Sequence, residues 1–263
     1  MRLALAPLLL LLAAPAVAQG RDLCPERPGL DTPPCVLDAG RVQIEAAAAG
    51  WTRETSAGSR SDTLVAGEFL LRYGLDDRTE ARLDWAPYGH VRTRDRLTGA
   101  VERQDGTGDV TLSIKRSLVA PGGGGASVAL LPHVSLPTGG RAIGAGDWGA
   151  GLLLPMSFAL SEGAALILTP ELDAAVDEDR DGRHLAWGSA GGLQVDLGDA
   201  LSAAVEMQAI RDRDPDGHAT RLLGSASLAW AAGEDSQFDV GTNLGLNRAT
   251  PDVELYVGVA RRF

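Results

Sequence analysis

From Gly40 to Phe263 apolar residues recur at every second position, the pattern of strands whose two faces meet different surroundings, and helical periodicity is nowhere sustained. Val65, Gly67, Phe69, Leu71 and Tyr73 fall on one face, with Ala66, Glu68, Leu70 and Arg72 on the other. Leu83 and Trp85 stand against Glu80, Arg82 and Asp84, and Leu201, Ala203, Val205, Met207 and Ala209 against Ser202, Glu206 and Gln208. Farther on, Phe238, Val240, Leu244 and Leu246 oppose Gln237, Asp239, Asn243 and Asn247, and Val253, Leu255, Val257, Val259 and Phe263 oppose Glu254, Tyr256, Gly258 and Arg262. The pattern predicts about twelve segments of roughly ten residues, the length of a tilted strand that crosses a bilayer. Their centres fall near residues 46, 68, 83, 113, 130, 153, 169, 190, 205, 225, 242 and 257.

Connections alternate in length. Short ones are expected near Gly74–Arg78, Pro121–Gly125, Ser161–Gly163, Gly198–Ala200 and Ala232–Asp235. Longer polar ones are expected near Arg53–Asp62, Gly89–Gly108, Pro137–Asp147, Val176–Arg183 and Arg211–Ala219. This predicts an all-β fold over 39–263: a closed antiparallel transmembrane β-barrel with short periplasmic turns, longer outer loops and an even strand count. A soluble β-sandwich shares the period, but its polar faces meet water. Here the polar face carries Gly149, Gly151, Ala186, Gly188, Ala190 and Gly192, which suit a narrow lumen. Trp85, Trp148, Trp187 and Trp230 lie on the apolar face near expected strand ends, as an interfacial girdle would, though 5 Trp, 3 Tyr and 4 Phe make that girdle thin. Phe263 ends an alternating strand and is the expected signal to barrel-assembly machinery.

Ahead of the barrel, Met1-Arg2, the apolar run Leu3–Pro15 and Ala16-Val17-Ala18 read as a secretory signal peptide over 1–18, too short to span a bilayer. Residues 19–38 then form an N-terminal periplasmic segment rich in proline, with Cys24 and Cys35. Export to an oxidising compartment predicts a disulfide between them, because no further cysteine or nearby histidine completes a zinc site.

Charge and composition narrow the function. Lys+Arg of 24 against Asp+Glu of 35 gives a net charge of −11, which argues against a nucleic-acid partner. A mean hydropathy of −0.01 is too polar for a helical membrane bundle. Glycine, at 33 of 263 residues, is almost twice as common as the usual ~7%. The polar face collects Glu45, Glu68, Arg72, Glu80, Arg82, Asp84, Asp109, Lys115, Glu171, Asp173, Glu206, Asp239 and Glu254, among which Lys115 is the chain's sole lysine. Opposite charges on neighbouring strands can staple a small barrel. Rings of charge can also form a constriction that selects permeants, here favouring cations or neutral solutes.

Six stretches stand out along the barrel and just ahead of it: Arg27-Pro28-Gly29, Gly40-Arg41-Val42-Gln43-Ile44-Glu45, Leu70-Leu71-Arg72-Tyr73-Gly74-Leu75, Glu80-Ala81-Arg82, Gly108-Asp109-Val110 with Lys115, and Val134-Ser135-Leu136-Pro137-Thr138-Gly139. In this order and spacing they resemble a family of outer-membrane proteins associated with the MetA pathway of phenol degradation. The resemblance implies a β-barrel that passes small molecules, aromatic ones among them.

Other motifs are weaker. His133 and Ser135 share one strand face, like the catalytic pair of the outer-membrane phospholipase, but are expected to point inward. Asp177, Asp179 and Asp181 before Gly182, and Asp212, Asp214 and Asp216 before Gly217, begin like calcium loops. Both lack the closing glutamate, with Gly188 and Leu223 in its place, and read first as acidic outer loops. Gly122–Gly125 has no Gly-Lys-Ser/Thr ending and reads as a turn, and His90, His184 and His218 have no metal-ligand spacing. The leading expectation is a passive outer-membrane channel with no cofactor, in contact with outer-membrane lipid and a small-molecule permeant. A structural or surface-interaction barrel with an occluded lumen is the second expectation, and a lipid-ester hydrolase on His133 and Ser135 the third.

Overall fold

A chain whose side chains alternate between two media must stay extended, and the described residues contain sixteen strand segments. The computed structural model describes residues 21–120 and 125–263. The expected signal peptide at 1–18 and Gly122–Gly124 of the glycine turn lie outside the described residues. The first eight segments are β1 (Val42–Thr55), β2 (Ser59–Ala66), β3 (Glu68–Asp76), β4 (Thr79–Trp85), β5 (Tyr88–Asp95), β6 (Val101–Gly106), β7 (Val110–Val119) and β8 (Ala126–Leu136). There follow β9 (Gly149–Leu153), β10 (Met156–Ser161), β11 (Ala164–Val176), β12 (Arg183–Asp196), β13 (Leu201–Asp214), β14 (Gly217–Ala231), β15 (Ser236–Gly245) and β16 (Val253–Arg262).

Four pairs of consecutive segments run on as single staves: β2 with β3, β4 with β5, β6 with β7 and β9 with β10. One break falls at Gly67, whose φ of 71° an ordinary residue avoids, and two others at Pro87 and Pro155, which have no N–H for a ladder. The barrel therefore has twelve antiparallel staves, as the alternation predicts, and each expected centre lies in one of them. Pairing of β1 with β16, from Gln43 opposite Arg262 to Arg53 opposite Val253, closes the ring. Outward, Ile44, Ile114, Val205, Met207, Val240 and Leu255 form part of an exposed apolar belt, while Gln43, Glu45, Arg72, Glu80, Lys115 and Glu206 are buried inside.

At the end that carries Phe263, the connections among the described residues are the short ones expected. At the outer end the structure corrects three expected loops. Much of Arg53–Asp62, Gly89–Gly108 and Arg211–Ala219 is strand: β1 and β2 join through residues 56–58, β5 and β6 fill most of 88–106, and residues 215–216 join β13 to β14. The outer half of β1 continues through β2 and β5 to β6 as a flap of sheet. Arg92, Thr93 and Arg94 pair there with Arg103, Glu102 and Val101. With water on both faces, such strands need no apolar alternation, so the pattern that reveals the membrane staves is missing. Charged side chains along β6 suit an edge strand that must not pair with another chain. Beside it, hydrogen bonds from His90 and Tyr88 hold the Asp105 carboxyl below the usual carboxylate range.

Candidate functional site

The barrel lumen is filled at its waist by residues 21–38. This segment carries Pro25, Pro28, Pro33 and Pro34 and cannot form a continuous ladder, and the Cys24–Cys35 disulfide closes it into a loop. Its remaining backbone groups need partners in a confined space, and the polar face of the staves supplies them. Glu26 and Arg27 donate their backbone N–H groups to Glu45 Oε2 at 2.8 and 3.1 Å. Leu30 and Asp31 donate to Glu206 Oε1 at 2.9 and 3.0 Å, and Leu37 donates to Glu80 Oε2 at 2.9 Å. Thr32 donates to Thr169 Oγ1 at 2.9 Å.

Basic side chains take up the segment's carbonyls. Arg72 Nη1 donates to Cys24 O at 2.7 Å and Nη2 to Cys35 O at 3.4 Å. Lys115 Nζ donates to Pro33 O at 2.8 Å and to Cys35 O at 3.2 Å. Glu26 sits among Lys115, Arg82 at 3.3 Å and Arg72 at 3.6 Å. Arg72 itself is fully buried and clamped between Glu45 at 2.9 Å and both oxygens of Glu80 at 3.0 and 2.9 Å. Its five donors in a planar fork fit this task, which a point-charge ammonium could not perform. Farther round, Arg27 reaches Asp239, and Gln237 Nε2 donates to Arg27 O at 2.9 Å.

Glycine on the lumen face makes room for this segment. A Cβ at Gly258 would overlap the Arg27 guanidinium, and one at Gly192 would overlap the Glu206 side chain.

Not every residue of the expected ladder touches the plug. Glu68, Asp84 and Glu254 face a chamber of about 280 Å³ together with Asn243 and Tyr256, and Asn243 Nδ2 donates to Glu254 Oε2 at 2.9 Å. Glu171 accepts a long bond from Gln208 at 3.4 Å. Asp109 stands apart: it accepts the backbone N–H groups of Gly139 and Ala145, each at 2.7 Å, and so ties down the connection between β8 and β9. A second cavity of about 140 Å³ lies across the plug, lined by Pro33, Ile167, Gln194, Ser202 and Gln237. Both cavities touch Glu26 and Arg27.

Two motifs change meaning in three dimensions. His133 Nε2 lies 3.6 Å from Asp173 Oδ1, an acid on β11 that the sequence around His133 does not announce. Among the described residues no hydrogen bond joins His133 to Ser135. The two Asp-rich stretches do not form separate loops of one kind: Asp177, Asp212 and Asp214 converge on His184, while Asp179 turns away to accept the N–H of Asp181 at 2.9 Å and Asp216 stays exposed.

The residues that sequence reasoning missed are Glu26, Arg27, Gln43, Thr169 and His184. Adjacent opposite charges in a proline-rich segment are the signal for Glu26 and Arg27, and Arg27 also stands in the Arg27-Pro28-Gly29 stretch that carries the resemblance.

A family model described as "Putative MetA-pathway of phenol degradation" matches residues 26–263. No curated protein matches the chain in sequence. Among solved structures, the chain is similar to the COG4313 outer membrane channel from Pseudomonas putida F1, at 15% identity over 87% of this chain and 97% of that one, with a TM-score of 0.71. It is also similar to the NanC porin, at 8% identity over 84% of this chain and 98% of that one, with a TM-score of 0.52. The beta domain of the Bordetella autotransporter BrkA matches at 14% identity over 86% and 100%, with a TM-score of 0.51. These likenesses concern the closed barrel fold.

Proposed function

Because the chain belongs to the family whose model matches residues 26–263, we propose that it is a passive channel of the outer membrane for small solutes, aromatic compounds among them. The observation that carries this reading is the pair of cavities on opposite sides of residues 21–38, both reaching Glu26 and Arg27. A polar route then runs through the barrel, and one short segment interrupts it. The family description, which names phenol degradation, supports an aromatic permeant.

In this reading residues 1–18 are removed on export, residues 19–38 are the gate and residues 39–263 are the barrel. Glu45, Arg72, Glu80, Arg82, Lys115, Glu206 and Asp239 hold the gate, so their charges are already spent on one another and on its backbone. Glu68, Asp84 and Glu254 have no ion-pair partner among the described residues and give the outer chamber a preference for neutral or cationic solutes. The mechanism is diffusion and needs no catalytic step. Phe263, whose N–H donates to Val42 O at 2.8 Å beside the closing seam, is the proposed contact for barrel-assembly machinery.

Planar-bilayer conductance of the refolded mature chain and of a form lacking residues 19–38 tests the proposal. Ion flux that rises on deletion is expected, and no flux in either form would overturn it. The ring of bonds around the plug favours a second reading, a permanently occluded barrel whose outer rim does the work. The same experiment separates the two. Loss of ester hydrolysis in Ser135→Ala would instead be the mark of an enzyme.

A further inference from the structure

Outside the membrane, pieces of three staves bring a second polar cluster together. Asp177 follows β11, His184 is the second residue of β12, and Asp212 and Asp214 end β13. Ala175 pairs with His184 across β11 and β12, and Ala186 pairs with Asp212 across β12 and β13, so the register places the histidine among acids from both neighbours. His184 Nδ1 lies 2.8 Å from Asp177 Oδ1 and 3.4 Å from Asp214 Oδ2, and one ligand atom from each of the three residues lies within 4.8 Å of the others.

The other edge of the ring is also occupied. His184 Nε2 lies 2.6 Å from Asp212 Oδ1, and Asp212 Oδ2 lies 2.7 Å from Arg221 Nη2. The imidazole is only 6% exposed, yet Nε2 makes no hydrogen bond of acceptable geometry. That edge faces Asp212, while on the other edge Nδ1 shares a hydrogen bond with Asp177 Oδ1 and Asp214 Oδ2 accepts the Glu178 N–H at 2.7 Å. Three carboxylates thus surround one imidazole, and among the described residues the exposed Arg221 is the sole guanidinium paired to them. Negative charge is in excess at a sheltered point, and a cation would relieve it.

We propose that Asp177, His184 Nδ1 and Asp214 bind one divalent transition-metal ion of the zinc type, which places the ring proton on Nε2, facing Asp212. Nδ1 lies 2.8 and 3.4 Å from the two carboxylate oxygens, spacings compatible with a shared centre at the ~2.0–2.2 Å bond lengths of zinc to nitrogen and oxygen. A ligating histidine whose second nitrogen faces a carboxylate is the usual outer-shell arrangement. Three protein ligands leave a position for water. Calcium fits less well, because it takes roughly six to eight oxygens, and Asp179 and Asp181, which a calcium loop would recruit, stay outside the cluster. Bound metal would staple the connection after β11 to the β13–β14 hairpin at the outer mouth. This assignment is independent of whether the lumen conducts.

Zinc titration of chelator-stripped mature protein, followed by isothermal calorimetry, tests it. One zinc ion per chain is expected, with little displacement by excess calcium. His184→Gln and Asp214→Asn should each weaken binding by about ten-fold or more, comparable with other losses around metal ligands. Asp181→Asn, on the same connection, should leave it unchanged. Each variant is first shown to be a barrel by heat-modifiable mobility, and Asp177→Asn replaces any that fails. Absence of zinc binding by the unaltered chain, or undiminished binding in the ligand variants, would overturn the proposal. Displacement by equimolar calcium would overturn the histidine-ligated zinc assignment.

Discussion

Arg27 and Asp239 lie 212 positions apart in sequence and face each other as a two-point pair, with Nε and Nη2 of the guanidinium each 3.0 Å from a carboxylate oxygen. The Asp239 side chain is completely buried, and the guanidinium also lies 5.6 Å from the centre of the Tyr256 ring. This pair fastens the plug to β15, two staves round the ring from the β1 that carries Glu45 of the Arg72 cluster.

Asp239→Asn keeps the shape of that acceptor but removes its charge. Hydrogen bonds to charged groups are worth about 1.5–3 kcal/mol, so the variant should raise the open population of the channel roughly ten-fold to a hundred-fold. Single-channel recordings measure this as open-state occupancy. Unchanged occupancy would mean that the pair does not hold the gate.

Arg72→Met acts at a second anchor. Removing one member of a buried charge cluster costs about 3–5 kcal/mol, since the partners stay behind uncompensated. Glu45 and Glu80 would lose their clamp and Cys24 O its guanidinium donor, while Cys35 O would keep only Lys115. Limited proteolysis should therefore cleave within 21–38 far faster in the variant while the barrel stays heat-modifiable. Equal cleavage rates would contradict the anchoring role.

Charge selectivity should follow the chamber acids alone. Glu68→Gln with Glu254→Gln is expected to lower the cation preference, seen as a reversal potential closer to zero under a potassium chloride gradient. Asp109→Asn, which loosens only the connection between β8 and β9, should leave that potential unchanged.

The exterior assignment gives a sharp contrast between two apolar residues. Met207, 61% exposed in the middle of β13, points to lipid, whereas Leu97, 89% exposed between β5 and β6, points to water. Met207→Arg should cost about 2–4 kcal/mol of barrel stability, the range for arginine at the bilayer midplane. Leu97→Arg should cost almost nothing, and urea unfolding in lipid vesicles compares the two.

The staves were legible because each has a lipid side and a lumen side, so Val205 and Met207 betray Glu206 between them. The flap was not, because Arg92 and Arg94 meet water as readily as Thr93 does. The plug escaped periodicity altogether. Its contacts are set by partners as distant as Glu206 from Leu30, and proline breaks any local rhythm that would announce them. The Asp-x-Asp-x-Asp-Gly stretches pointed to calcium because spacing along the chain is visible. The convergence of their acids on His184 depends on strand register, which spacing does not reveal.

The plug is bonded to β1, β3, β4, β7, β11, β13 and β15, and the ring that surrounds it is sealed where β16 meets β1. A segment fastened to so many walls ties distant staves to one another across the lumen, so the ring is braced from within as well as along its seam. Clearing the lumen therefore means releasing seven staves together, and the strength of the barrier is shared among them rather than lodged in one latch.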